Sequence, residues 1–336
     1  MAGVTGGKMK TTKDKVLSML YSNCEGISGE EIAGKLSITR NSVWKAIKAL
    51  KNDGYEIVSC IGRGYMLKQD KDVLDEYSLC KYLSRDHKIY VYDIATSSNT
   101  IGKELCQKGE DEGTVIIVKS QTRGRGRMGR SFISSDENGL YMSVILRPGL
   151  PAEECTNITV MCAVAVLEAI EETSGKECEI KWVNDIYIND KKCCGILTEG
   201  AMDFESGYLQ YAVVGIGINL CEPRDGFDEE IADIATGIYE GKRYPDNFKT
   251  RLCAKIINRL FDRYETFKSK DYIQLYREKS NIIGKTVDVY TGNGMVTGIA
   301  VDIDENASLV VQDENGERHT FSSGEARVRK AGEKLS

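Results

Sequence analysis

Histidine, proline and tryptophan are scarce in this chain of 336 residues, which has two, four and two of them. With only His87 and His319 available, a serine or cysteine nucleophile activated by histidine is not favoured. The eleven cysteines contain no C-x-x-C pair, which argues against a zinc site or a disulfide framework and predicts reduced, mostly buried thiols. No run approaches the roughly 18 consecutive apolar residues that cross a bilayer, and residues 1–10 lack the apolar segment of a signal peptide. We therefore expect a cytoplasmic protein with no membrane partner.

Charge is distributed unevenly along the chain, although the total is −6. Between Met9 and Lys68 there are ten Lys and Arg against six Asp and Glu, whereas from Gln69 onward there are 34 against 45. A basic front on an acidic body predicts that only the front meets a polyanion such as DNA. The length exceeds that of a single ordinary core and predicts two or three domains.

The front of the chain has the pattern of a winged helix-turn-helix. Residues 12–21 have apolar side chains at helical spacing, a capping box at 28–31 opens a second helix, and Thr39 caps a third that runs to about Asp53. Two short strands follow on either side of a Gly-Arg-Gly tip, which predicts a wing. A small helical domain that binds a protein is the alternative. The residues predicted to bind DNA are Arg40, Asn41, Ser42, Lys45, Lys48 and Arg63.

Residues 121–130, QTRGRGRMGR, form the most informative segment of the chain. Its arginines and glycines alternate between two apolar strands predicted at 115–119 and 140–146. Glycine lets backbone amides approach an anion closely, and arginine presents a planar charged fork that suits phosphate. We therefore predict a loop that is mobile when empty and orders around a polyphosphate or an acyl phosphate. The alternative is a disordered segment that binds nucleic acid nonspecifically; the motif G-x-x-x-x-G-K-[ST] is absent.

Two further stretches, one before and one after this segment, carry polar side chains or glycines that could contact a ligand. Residues 96–100 carry hydroxyls and an amide ahead of a helix predicted at 101–107, and they suit either a small polar ligand or a simple N-cap cluster. In the strand predicted at 211–220, Gly215 and Gly217 offer places where a ligand lies against bare backbone.

The sequence EIKWVNDIYI at 179–188 predicts a strand that enters a polar kink. A hairpin turn is predicted at 189–192 and a return strand at 193–199, in which two adjacent cysteines are expected to be buried packing. The strand end is predicted to bring together Lys181, Asn184 and Asp185. Asp185 is a natural ligand for magnesium, because this hard cation bound to nucleotide phosphates prefers one or two carboxylates plus water.

Taken together, these segments resemble the bacterial family of bifunctional biotin ligases and biotin-operon repressors, over about residues 10–330. The motifs that carry the resemblance are Ser97-Ser98-Asn99, the GRGRMGR run, KWVND at 181–185, the lysine before CCGIL, and GIGIN ending at Asn219. The resemblance implies an α+β multidomain fold. Its expected parts are a DNA-binding winged helix-turn-helix at 9–69, a central mixed α/β ligase domain that binds biotin and ATP at 70–280, and a small SH3-like β-barrel at 281–330.

The resemblance also implies roles for individual residues. Biotin is expected to contact Ser97, Ser98, Asn99, Gln121, Gly124, Arg125, Gly126, Arg127, Lys192 and Gly195. ATP or the adenylate is expected to contact Arg127, Arg130, Phe132, Lys181, Asn184, Asp185 and Asn219, with Asp185 also holding magnesium. The catalytic residues are expected to be Lys192, Arg125 and Arg127. The acidic segment 221–237 resembles the loop that orders over adenosine. Three positions depart from the usual pattern: Val183 replaces proline, Met128 arginine and Phe132 tryptophan.

The implied activity is ATP-dependent and AMP-forming. Biotin is activated with ATP and Mg²⁺ to biotinyl-5′-AMP, and biotin is then transferred to a lysine of a biotin carboxyl carrier protein. Biotin is thus both a substrate and the precursor of a corepressor, since the adenylate-bound protein is expected to form a homodimer on operator DNA. Two alternatives remain open at this stage: a biotin-sensing transcription factor without catalysis, and a lipoate or octanoate ligase.

Overall fold

The computed structural model describes residues 11–23, 25–60, 62–68, 73–134, 138–223, 225–292 and 294–329. Contacts divide the chain into two compact units, Met1–Lys81 with Pro245–Thr250, and Tyr82–Tyr244 with Arg251–Ser336. The polar residues from Gln69 to Asp75 predict a linker after the wing, and residues 69–72 of that stretch lie outside the described residues. Within the described part, no helix is both long enough and apolar enough to cross a membrane.

The first unit is built from short helices and one hairpin. Its elements are α1 (Thr12–Ser22), α2 (Gly29–Leu36), α3 (Arg40–Asn52), β1 (Glu56–Cys60), β2 (Gly64–Lys68) and α4 (Glu76–Cys80). The Ser28 hydroxyl accepts the N–H of Glu31 at 3.0 Å and starts α2, and the Thr39 hydroxyl accepts the N–H of Ser42 at 3.1 Å and starts α3. The Glu31 carboxylate pairs with Lys35 at 2.8 Å, so the reciprocal half of the predicted capping box is wrong. The predicted winged helix-turn-helix is confirmed.

The apolar faces of these elements form one core. Its buried members include Val16, Leu17, Leu20, Ile32, Val43, Ile47 and Leu50. They recur at helical spacing in the sequence, which is why the helices and the hairpin pack together.

A mixed seven-stranded sheet forms the centre of the second unit. Its strands are β3 (Ile89–Ala95), β4 (Val115–Gln121), β5 (Gly139–Leu146), β6 (Glu179–Lys181), β7 (Asp185–Ile188), β8 (Lys191–Met202) and β9 (Leu209–Asn219). In space they follow the order β3-β4-β5-β9-β8-β7-β6; β3 and β4 are parallel, and all other neighbours are antiparallel. The accompanying helices are α5 (Ser98–Gln107), α6 (Cys155–Ser174), α7 (Phe248–Glu265) and α8 (Tyr272–Glu278).

A smaller sheet of five antiparallel strands completes the second unit. Its strands are β10 (Thr286–Thr291), β11 (Gly294–Ile303), β12 (Leu309–Gln312), β13 (Arg318–Phe321) and β14 (Glu325–Val328). The indole N–H of Trp182 donates to the carbonyl of Ala307 at 3.0 Å, and Arg277 Nε donates to the carbonyl of Ile303 at 2.8 Å. These bonds join the small sheet to the turn after β6 and to α8.

Three local predictions differ from the structure. Residues 182–184 form a turn between the antiparallel strands β6 and β7, with Lys181 opposite Asp185, so the predicted kinked strand is a hairpin. Ser98 to Thr100 form the first turn of α5 rather than a segment before it. The turn at Asn189-Asp190 is shorter than predicted, because β8 already begins at Lys191. In both turn residues φ is positive, at 50° and 60°, which asparagine and aspartate tolerate better than most residues.

Candidate active site

A cavity of about 620 Å³ opens in the second unit at the end of the central sheet. The predicted site residues that line it are Ser97, Ser98, Asn99, Gln121, Arg125, Gly126, Arg127, Arg130, Phe132, Lys181, Asn184, Asp185, Lys192, Gly195 and Asn219. Gly124 is not among the described residues that line it. A Cβ at Gly124 would lie 2.1 Å from the carbonyl oxygen of Phe132, so this glycine serves the close approach of two backbone segments.

One end of the cavity is a hydrogen-bonded group of small polar side chains. Gln121 Oε1 accepts the N–H of Ser98 at 2.8 Å, while Gln121 Nε2 donates to Ser134 Oγ at 2.9 Å. The buried hydroxyl of Ser143 lies 2.7 Å from both Ser98 Oγ and Asn99 Oδ1. Because each of these groups already has a protein partner, their positions are set before any ligand arrives.

Asn99 is 3% exposed, and its amide is satisfied by the protein. Its Nδ2 donates to the carbonyl of Leu197 at 3.1 Å and to Glu199 at 3.0 Å, in addition to the contact of Oδ1 with Ser143. A Cβ at Gly215 would lie 2.2 Å from Asn99 Oδ1. The predicted bare backbone at Gly215 therefore makes room for this amide. Gly217 likewise faces the ring of Phe132, with 2.7 Å to a built Cβ.

The arginine loop, residues 123–130, is folded back on itself. Gly126 N–H donates to the carbonyl of Arg130 at 2.8 Å, and Arg130 N–H donates to that of Arg127 at 3.1 Å. Met128 and Gly129 take positive φ values of 55° and 76° at the tip. Met128, which stands where the family usually has arginine, therefore lies exposed at the tight turn of the loop.

Three guanidinium groups of the loop have partners in this structure. Arg125 lies 3.1 Å from Glu199, and Arg130 donates to both carboxylate oxygens of Glu325 at 2.9 and 2.7 Å. Arg127 donates to Asn184 Oδ1 and to the carbonyl of Gly324, both at 3.1 Å. These contacts offset the repulsion between the positively charged arginines of the loop. They also join the loop to β8, to the turn after β6 and to the start of β14.

Lys192 belongs to a second, cationic end of the cavity, together with Lys181 and the loop arginines. Its Nζ is 2.8 Å from Asp185 Oδ1, and a Cβ at Gly195 would lie 3.2 Å from the same Nζ, a close contact that the flexible end of the lysine relieves by a shift of a few tenths of an ångström. Its backbone is held on both sides, because its N–H donates to the carbonyl of Ile234 at 2.8 Å and its carbonyl accepts the N–H of Thr236 at 2.9 Å. The catalytic candidate is thus rigid at its base.

The charge around Lys192 is mixed, with cations in excess. Burial lowers the pKa of Lys181, and Asp185 opposes that change. Glu325 and Asp185 are carboxylates that also line the cavity. Such a surface suits a polyanion, because the lysines and arginines among the described residues that line the cavity outnumber the carboxylates.

The predicted packing role of Cys193 and Cys194 agrees with the structure. Both thiols are fully buried, and burial raises the pKa of each above the ordinary range. Neither side chain therefore has thiolate character at neutral pH.

Several residues of this site carry no signal in the local sequence. Glu199 and Ser143 act through Asn99, and Gly324 and Glu325 lie 195 or more positions from the arginines that they bind. In the segment 221–237, which resembles the loop over adenosine, the described residues that line the cavity are Cys221, Pro223, Phe227, Asp228, Glu230, Ile231, Ile234 and Ala235.

The first unit holds the second candidate surface, on α3 and the wing. Arg40, Asn41, Lys45 and Lys48 are exposed as predicted, and Arg63 at the wing tip is exposed beside Glu25 at 3.5 Å. Ser42 is only half-buried, and its hydroxyl lies 2.9 Å from that of Thr39, so it serves the helix cap.

Trp44 on the same helix was missed by the sequence reasoning. It is 52% exposed, and Lys48 Nζ lies 5.4 Å from the centre of its ring. Residues 40, 44 and 48 follow one another at intervals of four and therefore share one outer stripe of α3.

Comparisons with known proteins agree along the chain. Residues 91–219 match the biotin/lipoate A/B protein ligase family, residues 12–66 match an HTH domain, and residues 282–329 match the biotin protein ligase C terminal domain. The bifunctional ligase/repressor BirA of Bacillus subtilis (strain 168) is 34% identical over 324 residues, which are 94% of this chain and 98% of that protein. The biotin--[acetyl-CoA-carboxylase] ligase of Mycobacterium tuberculosis is 30% identical over 246 residues, 69% of this chain and 87% of that one.

Among solved structures, the biotin protein ligase from Aquifex aeolicus in complex with biotin and ATP is similar to the second unit's fold. Its TM-score is 0.60 at 27% sequence identity, and the match covers 73% of this chain and 99% of that chain. The match to a full-length bifunctional relative, the HTH domain and the ligase structure together confirm the family that the motifs indicate. The chain belongs to the family of bifunctional biotin protein ligases and repressors.

Proposed function

We propose that this chain joins biotin to AMP and transfers biotin to a lysine of a biotin carboxyl carrier protein. The observation that carries the proposal is the cavity in which a rigid polar group around Ser98 and Gln121 faces a cationic group around Lys192. The polar end suits the ureido ring of biotin. The cationic end suits the α-phosphate of ATP.

The reaction has two steps in which the protein supplies position and charge. An oxygen of the biotin carboxylate attacks the α-phosphorus of ATP, the bond to the β-phosphate oxygen breaks, and pyrophosphate leaves. The side chains of Lys192, Arg125 and Arg127 neutralise charge on the phosphoryl oxygens. The neutral amine of the acceptor lysine then attacks the carbonyl of the mixed anhydride, loses a proton, and releases AMP.

Biotin is assigned to the polar end and ATP to the cationic end. Biotin contacts the group around Ser98 and Gln121, together with the backbone of residues 124–126 and the surface beside Gly195. The adenylate contacts Arg127, Arg130, Phe132, Lys181, Asn184, Asp185 and Asn219. The amide of Asn99 already has protein partners at both of its polar atoms, so Asn99 is assigned a supporting role rather than direct contact with biotin.

Magnesium fits the donor set at the cationic end. Asp185 and Glu325 are carboxylates that line the same cavity, and oxygen ligands are those that this hard cation prefers. When bound, the ion would neutralise charge on the phosphates of ATP. We assign Asp185 as its principal protein ligand, with Glu325 beside it.

Mass spectrometry of a biotin carboxyl carrier domain tests this function. After incubation with the chain, biotin and ATP–Mg²⁺, we expect one lysine of the carrier to gain biotin, with AMP formed in equal amount. A chain that binds biotin and leaves the carrier unmodified would be a biotin-sensing transcription factor. Modification with lipoate or octanoate in preference to biotin would identify the other related class.

We propose three domains for this chain. Residues 9–69 are assigned to DNA binding, 70–280 to the ligase and 281–330 to the small β domain. The matched HTH and C-terminal regions support these divisions. The fully buried thiols Cys193 and Cys194 favour a reducing compartment, so we place the reaction in the cytoplasm.

The first unit is proposed to bind operator DNA as part of a homodimer when the adenylate is bound. The outer stripe of α3 and the exposed cation of the wing support this, because a winged helix-turn-helix lays such a helix in the major groove. A dimer matches the two-fold symmetry of a palindromic operator.

Trp44→Ala is expected to weaken operator binding by about tenfold, because the exposed ring supplies apolar contact with base edges and guides Lys48. The measurement is a titration of DNA selected by the wild-type chain from a random duplex library, with sedimentation used to count chains per duplex. Tyr290→Ala, an exposed aromatic on β10, is the control and leaves the affinity unchanged. Equal affinity of Trp44→Ala and wild type contradicts the role of Trp44. One chain per palindromic duplex at saturating biotin and ATP contradicts the dimer.

A further inference from the structure

Glu199 on β8 gathers three donors that come from two separate parts of the chain. Its carboxylate lies 2.9 Å from Lys103 Nζ, 3.1 Å from Arg125 Nη2 and 3.0 Å from Asn99 Nδ2. The side chain is 18% exposed. Lys103 and Asn99 belong to α5, whereas Arg125 belongs to the arginine loop, so one carboxylate joins the two walls of the polar end.

The chemistry of this junction requires a charged acceptor. Two cations converge on one oxygen, Oε1, and an amide N–H occupies the other, Oε2. Burial acts to raise the pKa of Glu199, but hydrogen bonds from Lys103 and Asn99, together with the charges of Lys103 and Arg125, lower this pKa overall. A neutral amide in this place would present an N–H to at least one of the three donors and would leave that donor unpaired.

The junction also determines the state of Asn99. Both hydrogens of Asn99 Nδ2 are used, one by Glu199 and one by the carbonyl of Leu197, while Oδ1 contacts Ser143. Ser143 in turn contacts Ser98, whose N–H is held by Gln121. A change at Glu199 therefore reaches the polar group through a continuous chain of hydrogen bonds, and it reaches the loop through Arg125.

We propose that Glu199 is a positioning residue for biotin capture. It holds Arg125, and with it the loop backbone at residues 124–126, at a defined distance from the first turn of α5. It acts through Arg125 and Asn99 and touches neither biotin nor ATP. This inference rests on the proposed function of the cavity, and it assigns to Glu199 a larger effect on the binding of biotin than on the chemical step.

The test compares Glu199→Gln with a matched control, Glu172→Gln, in the full-length protein. Glu172 on α6 also binds two cations, Lys255 at 3.0 Å and Arg259, and it lies outside the residues that line the cavity. For Glu199→Gln we expect the KM for biotin to rise by about tenfold or more, since a hydrogen bond to a charged group is worth about 1.5–3 kcal/mol. At saturating biotin we expect kcat to fall by much less than the KM for biotin rises, because Lys192 and Arg127 still neutralise charge at the α-phosphate and only Arg125 loses its partner.

Two further variants separate position from folding. Glu199→Asp keeps the charge on a shorter side chain, and we expect its KM for biotin to be higher than that of wild type, a comparison that does not depend on whether the glutamine variant folds. Lys103→Met removes one cation and leaves the pair of Glu199 with Arg125, and we expect its KM for biotin within about twofold of wild type.

The outcomes are distinct. A folded Glu199→Gln protein with the biotin KM of wild type overturns the inference, and so does one in which kcat falls while KM is unchanged. A biotin KM for Glu199→Asp equal to that of wild type overturns it also. If the wild-type chain shows no biotin-dependent reaction in the same kinetic assay, the result is a different one, because it overturns the proposed function itself.

Discussion

Replacing Lys192 with alanine is expected to lower biotin-dependent pyrophosphate release by about a hundredfold or more, the loss seen when a preorganised charge-stabilising donor is removed. Lys192 Nζ lies in the cavity, 2.8 Å from Asp185, and its backbone is fixed to residues 234–236. Alanine removes the cation from the place where charge develops on the phosphoryl group. It also removes the cation that pairs with Asp185, and the negative charge of this carboxylate then repels the incoming phosphates.

The measurement is pyrophosphate release at saturating biotin and ATP, with the rate obtained both as kcat and as kcat/KM. Lys191→Ala is the matched control: the neighbouring lysine donates to the carbonyl of Ala232 at 3.2 Å and is not among the described residues that line the cavity. Its rate is expected within about twofold of wild type, as for a typical surface substitution. Undiminished pyrophosphate release by Lys192→Ala would remove this lysine from the catalytic group.

Much of the first unit was predictable, because its signals are local. The hydroxyls of Ser28 and Thr39 do cap α2 and α3, and the glycines on either side of Arg63 take the positive φ values of a tight wing. The exposure of Trp44 was not foreseen. An aromatic residue in a helix ordinarily predicts core, and its outward direction follows only from the packing of Val43 and Ile47 on the other side.

In the second unit the sequence predicted which residues meet but not what holds them. Glycines and arginines mark the loop by composition alone. By contrast, the acceptor of Arg125 is on β8, and that of Arg130 is on β14, 195 positions away. Such pairs depend on which strands become neighbours, and no periodicity of the chain encodes that. Helices α7 and α8 were not predicted. In α7 the local signal is present, because Leu252, Ile256 and Leu260 are buried and recur at helical spacing.

The family resemblance supplied what spacing did not. It named Lys192 and Gly195 as neighbours of one ligand, and the structure places a built Cβ at Gly195 only 3.2 Å from that lysine. It assigned Asn99 to biotin, whereas the structure satisfies this amide with protein groups. A motif therefore identifies where a residue belongs, and the hydrogen bonds decide whether it meets the ligand or supports another residue that does.

Gly124→Ala is expected to weaken biotin binding by about 5- to 150-fold, the range to which an overpacking cost of about 1–3 kcal/mol corresponds. The new Cβ would lie 2.1 Å from the carbonyl oxygen of Phe132 and 2.5 Å from Ser134 Oγ. Neither neighbour is free to retreat, because Phe132 N–H donates to the carbonyl of Gly124 at 2.9 Å and Ser134 is bonded to Gln121. The loop must instead detach, and Arg125 then moves away from Glu199.

Gly126→Ala in the same loop provides the comparison. There the built Cβ lies 3.3 Å from the carbonyl oxygen of Arg130, a contact that a shift of a few tenths of an ångström relieves. We expect a loss of biotin affinity of only about threefold for this variant, measured like the first by isothermal titration with thermal unfolding as the check on folding. A Gly124→Ala protein that binds biotin as tightly as Gly126→Ala would mean that the approach of residue 124 to Phe132 is dispensable. The loop would then hold biotin by its arginine side chains alone, since its backbone path would no longer matter.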